Sequence, residues 1–157
     1  MRQKVRLGIQ DSGSRVIPGN HARTALEEWT ARQCISGTPL SQDEDVWIAL
    51  EFIASNLGTT FYVSDVVSAV CTTRRTLERQ FLKVAGCTIG KAISEIRTQA
   101  GAVLLRTTDM SVTLVGTYVG IHSAAQFSRQ FRKAFDQTPT EYARLHRGKS
   151  DLLESAG

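Results

Sequence analysis

The stretch Leu-Glu-Arg-Gln-Phe-Leu-Lys at residues 77–83 recurs fifty residues later as Phe-Ser-Arg-Gln-Phe-Arg-Lys at residues 127–133. Both copies share an apolar residue, an Arg-Gln-Phe run and a lysine two positions further on. In a helix, the apolar residue and the Phe lie four positions apart on one face, whereas Arg79 or Arg129 projects from another side. The repeat therefore predicts two helices, each with a buried face and a basic edge.

A short apolar helix, a tight turn and a capping hydroxyl precede each copy of the repeat. In the first unit, valines at helical spacing predict a helix over residues 64–70, and Thr73 is a typical N-cap for the next helix. In the second unit, Ser111 opens a comparable helix, and Ser123 with Gln126 three residues later forms a capping-box pattern. A helix, a tight turn and a second capped helix make up the helix-turn-helix unit, so the sequence predicts two of them.

Capping patterns also mark the helices around these units. Thr88 opens a long helix whose apolar residues recur every three to four positions until about Arg106, as expected for a rigid connector. Ser41 with Glu44 forms a capping box ahead of an apolar helix, and the run Thr-Pro-Thr-Glu at residues 138–141 is a strong start signal for a last short helix. The valines alone would favour strands, but the caps and the spacing favour helices.

The predicted fold class is all-α, with two helix-turn-helix subdomains, each a homeodomain-like three-helix unit, joined by a long connecting helix. Glycines and prolines punctuate the start of the chain and predict irregular structure there, apart from a possible helix over residues 22–33. Three segments are predicted: an irregular N-terminal extension or linker over residues 1–41, a two-unit domain over residues 42–147, and a flexible tail over residues 148–157. Within the domain, the first helix-turn-helix is expected at about 64–84, the connecting helix at about 88–106 and the second helix-turn-helix at about 111–135.

Basic residues are concentrated in the part of the chain that holds the repeat. Residues 72–149 carry thirteen Lys and Arg against five Asp and Glu, whereas residues 1–71 carry six against eight. A basic surface that coincides with two helix-turn-helix units is expected for a protein that neutralises nucleic-acid phosphates. An ordinary solvated face, or a docking face for an acidic protein, would carry the same charge.

The residue types that build metal and catalytic sites are sparse. Cys34, Cys71 and Cys87 form no CxxC pair, and together with three histidines they show no metal-ligand spacing. Because no Ser/His/Asp grouping, carboxylate pair or phosphate-binding glycine loop stands out, we expect neither an enzyme nor a cofactor. The apolar runs fall far short of the roughly 18 residues of a membrane span, and the N-terminus does not resemble a signal peptide. Scattered cysteines suit a reducing compartment, so we expect a cytoplasmic protein with no membrane partner.

These features resemble the C-terminal DNA-binding domain of the AraC/XylS family of bacterial transcription regulators. The resemblance covers about residues 43–147 and rests on the first unit at 65–81, on Arg97 with its apolar neighbours, and on the second unit from Gly120 to Tyr142. Within the family, the first helix of the domain and the Arg-Arg-Thr-Leu-Glu-Arg run look most like the xylose-operon activators. The resemblance implies a sequence-specific transcription regulator, and more narrowly the DNA-binding part of a sugar-responsive activator with xylose as the candidate sugar.

By the same resemblance, double-stranded DNA is the expected partner and RNA polymerase is a second candidate partner. A small-molecule effector would act only through a domain that is not present in this chain. Two recognition helices held on one side of a duplex would enter successive major grooves about 34 Å apart, which favours bent DNA. The alternative is a basic helical module that binds an acidic protein and has no specific DNA readout.

Several positions depart from the family pattern. Cys71 and Thr72 stand in place of Gly and an aliphatic residue, Gly116 replaces Ala, Ile121 replaces Phe, and Asp136 replaces Gly. Asp tolerates left-handed backbone better than most residues, so we expect Asp136 still to end its helix. Gly116 is expected to weaken its helix by about 1 kcal/mol.

The candidate base-reading residues of the first unit lie at the start of its second helix, because that part of a helix-turn-helix enters the major groove. Arg75, Glu78 and Arg79 are predicted to share an exposed face, with Arg74 beside them. Either Arg75 or Arg79 can bind guanine O6 and N7 through its guanidinium, and Glu78 can accept from cytosine N4. Glu78 can instead pair with a neighbouring arginine on the helix surface.

In the second unit, Ala124, Ala125 and Arg129 occupy the corresponding face. Alanines contact thymine methyl groups but form no hydrogen bonds to bases, so this unit is expected to read sequence weakly and mainly through Arg129. Ser123 and His122 suit a phosphate near the helix N-terminus, although His122 equally suits a solvated turn. With Arg132 and Lys133 added as phosphate neighbours, the candidate DNA contacts are Arg74, Arg75, Glu78, Arg79, His122, Ser123, Ala124, Ala125, Arg129, Arg132 and Lys133.

Overall fold

The computed structural model of the protein describes residues 19–33 and 43–154, with side chains as far as residue 147. In this part of the chain the regular elements are eight α-helices, which confirms the all-α fold class. None of the described helices is long and apolar enough to cross a membrane. In chain order the helices are α1 (Gly19–Arg32), α2 (Glu44–Ser55), α3 (Val63–Val70), α4 (Arg74–Ala85), α5 (Ile89–Thr107), α6 (Val112–Tyr118), α7 (Ala124–Phe135) and α8 (Pro139–Glu154).

Side-chain caps set the helix boundaries of the first unit, α2 to α4. The Asp43 carboxylate accepts a hydrogen bond of 3.1 Å from the Val46 amide, and the Thr73 hydroxyl accepts one of 3.2 Å from the Thr76 amide. Gly86 adopts φ 69° and ends α4 in the left-handed region that favours glycine. Helix α4 therefore begins where the Thr73 hydroxyl predicts.

The predicted capping box at Ser41 is wrong about where α2 begins. The helix starts at Glu44, and Asp43 rather than Ser41 is its N-cap; Ser41 itself lies outside the described residues. Asp is as good an N-cap as Ser, and Asp43 directly precedes the acidic first turn that the positive end of a helix favours.

The connecting helix α5 lies at the centre of the core. The Thr88 hydroxyl accepts a hydrogen bond from the Lys91 amide at 3.2 Å, and the helix runs for 19 residues to Thr107. It packs against α1, α6, α7 and α8. A Cβ atom added at Gly101 would lie 2.8 Å from the Phe127 ring, so the glycine allows α7 to approach the connector closely.

The second unit, α6 to α8, has the same sequence of caps. The hydroxyls of Ser111 and Ser123 each accept a hydrogen bond from the amide three residues on, and Asp136 ends α7 with φ 55°, as predicted. A complete capping box opens α8, because the Thr138 amide donates to the Glu141 carboxylate at 2.9 Å and the Glu141 amide donates to the Thr138 hydroxyl at 3.2 Å. Hydrogen bonds to the Glu141 carboxylate from the backbone amide and the side chain of Thr138 lower the pKa of Glu141.

The stretch before residue 42 was predicted to be irregular apart from one possible helix, and that helix lies in the part of the stretch that the structure describes. Residues 19–32 form α1, so the possible helix over 22–33 is present and begins three residues earlier. Its buried residues follow helical spacing and join the main core: Ala22, Ala25, Leu26 and Trp29. Tertiary packing stabilises this short amphipathic helix although glycines and prolines are frequent in the sequence around it.

The last helix is longer than predicted, because α8 continues to Glu154 and so enters the segment 148–157 that was predicted to be a flexible tail. Residues 149–154 contain no proline or glycine and include lysine, leucine and glutamate, which are good helix formers. A single glycine at position 148 is therefore not enough to end the helix.

Two departures from the family pattern have a structural role in the turns. Cys71 ends α3 with φ 57°, a left-handed conformation that is strained for a residue with a Cβ atom. A Cβ atom added at Gly116 would lie 3.0 Å from the carbonyl oxygen of Ile121. The glycine that costs α6 helix propensity therefore lets the following turn close tightly against the helix.

Candidate nucleic-acid interface

The face of α4 that is opposite the core presents arginines. Leu77 and Phe81 are fully buried and attach the helix to the core, whereas Arg74, Arg75 and Arg79 are exposed. Arg75 and Arg79 are four residues apart and so lie one above the other on the same face. In the described part of the chain, neither of these two donates a hydrogen bond to another side chain, so both guanidinium groups are available for a ligand.

Glu78 forms the surface pair that the sequence left open as an alternative. Its carboxylate oxygen Oε1 lies 2.9 Å from Nε of Arg74, and both side chains remain substantially exposed, at 62% for Arg74 and 45% for Glu78. An exposed pair at this helical spacing contributes only about 0.3–0.5 kcal/mol. Little free energy is therefore lost if the pair between Arg74 and Glu78 breaks when DNA binds, and Glu78 stays a candidate base contact.

The start of α7 presents small side chains in place of arginines. Phe127 and Phe131 are buried, while Ala124, Ala125 and Arg129 are exposed. The rings of Phe131 and Tyr142 pack edge to face with centroids 5.2 Å apart, which ties α7 to α8. The remaining candidate contacts on α7, Arg132 and Lys133, are exposed in its last turns.

The sequence interpretation treated Gln126 only as part of a capping box, but its side chain is exposed on α7. Its backbone amide donates to the Ser123 hydroxyl at 3.3 Å. Gln126 lies three residues before Arg129 and therefore shares its face. A glutamine amide can bind adenine N6 and N7, so Gln126 adds a second hydrogen-bonding side chain, beside Arg129, to a helix start that carries two alanines. The signal in the sequence is a polar side chain directly after two alanines and three residues before Arg129.

The turn before α7 brings His122 and Ser123 next to the helix N-terminus. Both side chains are exposed, and the first amides of a helix have no intrahelical acceptors. Because the Ser123 hydroxyl accepts from the third amide, the amides of Ala124 and Ala125 are left to bind an anion. The geometry suits a backbone phosphate.

Arg97 of α5 joins the two helix-turn-helix units. Its guanidinium donates to the carbonyl oxygen of Thr59, after α2, at 3.2 Å and to that of Gly120, in the second turn, at 3.1 Å. The same group lies 4.9 Å from the centroid of the Phe61 ring, and burial lowers its pKa. Gly120 has φ 84°, and a Cβ atom there would lie 2.6 Å from the carbonyl oxygen of Leu57. The second turn therefore fits directly against the first unit, so α4 and α7 belong to one packed body.

Cys87 is a core thiol. Burial, and to a smaller extent the negative charge of Glu95, raise its pKa to about 11. A thiol that stays protonated at neutral pH is a poor nucleophile, so Cys87 is no candidate for covalent chemistry.

Comparison with known proteins agrees with this architecture. A family model described as a helix-turn-helix domain matches residues 66–145, which is half of the chain. The regulatory protein SoxS of Salmonella typhimurium is 29% identical over 103 residues, covering 66% of this chain and 96% of SoxS. The xylose operon regulatory protein of Escherichia coli K12 is 31% identical over 100 residues, covering 64% of this chain and 26% of that protein. The crystal structure of the DNA-binding domain of AdpA in complex with a target DNA superposes with a TM-score of 0.58 at 28% identity, covering 71% of this chain and 95% of that domain.

The chain belongs to the AraC-type helix-turn-helix family. It is a DNA-binding transcription regulator built from two helix-turn-helix units. This AraC-type chain spans nearly all of SoxS but only about a quarter of the xylose operon protein, at 26% of its length.

Proposed function

We propose that this AraC-type chain reads a specific DNA sequence by inserting the starts of α4 and α7 into successive major grooves, with α4 as the main base-reading helix. The observation that carries the proposal is the pair Arg75 and Arg79, exposed on the outer face of a helix whose inner residues are fully buried. A rigid helix with two unengaged guanidinium groups four residues apart suits neighbouring guanines.

In this proposal each unit makes its own set of base and phosphate contacts. On α4, Arg75 and Arg79 bind base edges, Arg74 leaves its surface pair for a phosphate, and Glu78 accepts from a cytosine. Each good bidentate contact contributes roughly 1–3 kcal/mol of discrimination against the wrong base.

On α7, Arg129 and Gln126 supply the hydrogen bonds to bases, and Ala124 and Ala125 pack against thymine methyl groups. Ser123 and His122 bind a phosphate together with the first amides of the helix. Arg132 and Lys133 lie further along α7 and add phosphate contacts, which position the helix without reading sequence.

The regulatory context is proposed from the relatives. Similarity to the xylose operon regulatory protein supports a sugar-responsive activator, in which a domain outside this chain binds the effector and RNA polymerase is a further partner. Because a regulator of this kind acts on chromosomal DNA, the proposal includes a cytoplasmic location.

The test is a titration of labelled duplexes at several salt concentrations. The chain first selects a duplex from a randomised library, and that duplex is compared with a scrambled one of the same composition. The proposal expects specific binding at least about 1000-fold tighter than non-specific binding, with an affinity that falls as salt rises. Equal affinity for both duplexes at every salt concentration would remove sequence-specific reading and favour the protein-interaction alternative.

Variants of α4 test which residues read bases. Arg75→Ala and Arg79→Ala are each expected to weaken binding to the selected duplex by about 5- to 150-fold, which corresponds to 1–3 kcal/mol, and to leave binding to the scrambled duplex nearly unchanged. Arg23→Ala is the matched control, because it removes the same charge from an 82% exposed side chain on the outer face of α1. A uniform loss on both duplexes, with a salt slope reduced by about one, would assign the arginine to phosphate instead.

A further inference from the structure

Helix α1 lies ahead of the matched family region yet is part of the same core. The family model begins at residue 66, whereas α1 ends at Arg32. One face of α1 is buried against α5 and α2, with Ala25 fully enclosed and Trp29 only 2% exposed. This helix therefore packs on the connector and on the first unit at the same time.

Glu28, next to that buried face, joins α1 to the second unit. Its carboxylate pairs with the guanidinium of Arg106 near the end of α5 and accepts a hydrogen bond from the Gln99 amide. Arg106 also donates to the hydroxyl of Tyr142 on α8, at 3.4 Å. Burial on its own would lower the pKa of Arg106, but its hydrogen bonds to Glu28 and Tyr142 raise it overall. The guanidinium of Arg106 on α5 therefore contacts side chains of both α1 and α8.

Two more contacts fasten the last turns of α1. The indole nitrogen of Trp29 donates to the Glu95 carboxylate on α5 at 3.0 Å. The guanidinium of Arg32 lies 4.9 Å from the centroid of the ring of Phe135, and Phe135 is the last residue of α7. The end of the second recognition helix is therefore in contact with α1, and α1 rests on α2 of the first unit.

We propose that α1 is a strap that fixes the angle between α4 and α7, and that Glu28 is a positioning residue for two-groove DNA binding although it lies on neither recognition helix. This inference rests on the proposed function. When one recognition helix is bound, the second binds as an intramolecular event, and its contribution depends on how closely its position matches the next groove. Loosening the strap lowers that match while each helix keeps its own contacts.

The experiment compares Glu28→Gln with Glu27→Gln in the whole chain. Glu27 is the matched control, because it is the adjacent carboxylate on the same helix and pairs with the exposed Arg23 on the outer face. The probes are the duplex selected from a randomised library by the unaltered chain and two shorter duplexes that each keep one half-site. Half-site binding is measured at low salt, where phosphate contacts keep weak complexes detectable.

Glu28→Gln is expected to weaken binding to the full duplex by about tenfold and binding to either half-site by less than about twofold, because only the linkage between the two sites changes. It is also expected to tolerate one base pair inserted or removed between the half-sites better than the unaltered chain. Glu27→Gln should match the unaltered chain on every duplex. The exchange of both charges, Glu28→Arg with Arg106→Glu, should restore affinity and spacing preference.

The outcomes separate the strap from the proposed function. If the unaltered chain selects no sequence, the proposed function fails, and the inference fails with it. If it does select one, the strap is overturned when Glu28→Gln keeps full-duplex affinity and spacing preference. A loss of the same size on half-sites and on the full duplex would also overturn it, because that result means general destabilisation rather than positioning.

Discussion

The two helix-turn-helix units share their buried residues and differ at their surface. Leu77 and Phe81 of α4 correspond to Phe127 and Phe131 of α7, and these residues are buried in both units. The exposed residues that follow the two caps differ, because α4 begins with two arginines where α7 begins with two alanines. The apolar positions that the repeat preserves therefore build the fold. In the proposed function both units use the arginine that the repeat also preserves, Arg79 or Arg129, and they differ in the two residues that begin each helix.

The largest expected effect comes from the core residues that the units share. Phe81→Ala and Phe131→Ala should each lower the free energy of unfolding by about 3–5 kcal/mol, since both rings are fully buried. Phe131→Ala should be the more costly, because its ring also packs against three aromatic rings: those of Phe127, Phe135 and Tyr142. Urea denaturation measures both.

Leu82→Ala is the control for these core variants, because its side chain is 53% exposed, and it should change stability by less than about 0.5 kcal/mol. If Phe81→Ala and Phe131→Ala were as mild as this control, the two rings would not anchor their helices in the core.

Each turn contains one residue in the left-handed region, and there alanine in place of glycine should lower stability while glycine in place of cysteine should raise it. Gly120→Ala should destabilise the protein by more than about 2 kcal/mol, because the residue has φ 84° and the new Cβ atom would lie 2.6 Å from the Leu57 carbonyl oxygen. Cys71→Gly should instead stabilise it by about 0.5–1 kcal/mol, since glycine removes the left-handed strain at φ 57°. Thermal unfolding measures both changes.

Gly90→Ala is the matched control for these turn variants, because nothing lies within 4 Å of its added Cβ atom and the residue is inside α5. It should stabilise the helix by up to about 1 kcal/mol. A neutral Gly120→Ala would contradict the close fit between the second turn and the first unit.

The N-cap hydroxyls of Thr73 and Ser123 should contribute equally to the stability of the fold and unequally to DNA affinity. Thr73→Ala and Ser123→Ala should each cost about 1 kcal/mol of stability, because each hydroxyl accepts from an amide in the first turn of its helix. Ser123→Ala should also weaken DNA binding, since the proposed phosphate site includes that hydroxyl. Thr113→Ala, at an exposed position of α6, is the control, and equal DNA affinity for Ser123→Ala and Thr113→Ala would contradict the phosphate site.

The smallest effect on stability is expected at the surface pair of α4, which has no counterpart on α7 because Ser128 stands at the matching position. Glu78→Gln should change the free energy of unfolding by less than about 0.5 kcal/mol, since the pair is exposed. It should nevertheless relax selection at one cytosine of the library-derived sequence. Glu51→Gln, at an exposed position of α2, is the control, and an unchanged selection profile for Glu78→Gln would leave the carboxylate with the surface pair alone.

Much of the fold was predictable because its signals are local. Hydroxyl caps such as Thr73, Thr88 and Ser123 lie where helices begin. Because the sequence repeats, the helix boundaries predicted for one unit also predict those of the other. The exposed arginines of the candidate interface followed from the same helical spacing. Asp136 was correctly predicted to end α7 because a single residue's backbone preference decides it.

The parts that sequence reasoning missed depend on contacts between distant residues. The docking of α1 relies on Glu28 meeting Arg106, which lies 78 positions along the chain. The bridge from Arg97 to two backbone carbonyls has no side-chain pattern to reveal it, because any residue supplies a carbonyl. Among the candidate contacts, Glu78 could not be assigned to its pair from sequence, since the same spacing suits a free carboxylate.

The most direct test of the central claim is methylation protection of guanine N7 on the selected duplex, because that atom lies in the major groove. Two helices held side by side predict two protected segments about 10 base pairs apart on one face of the duplex. Arg79→Ala should remove protection within one segment, and Arg129→Ala should remove it within the other. A single protected segment, or two segments that both variants leave intact, would contradict the claim that α4 and α7 read DNA together.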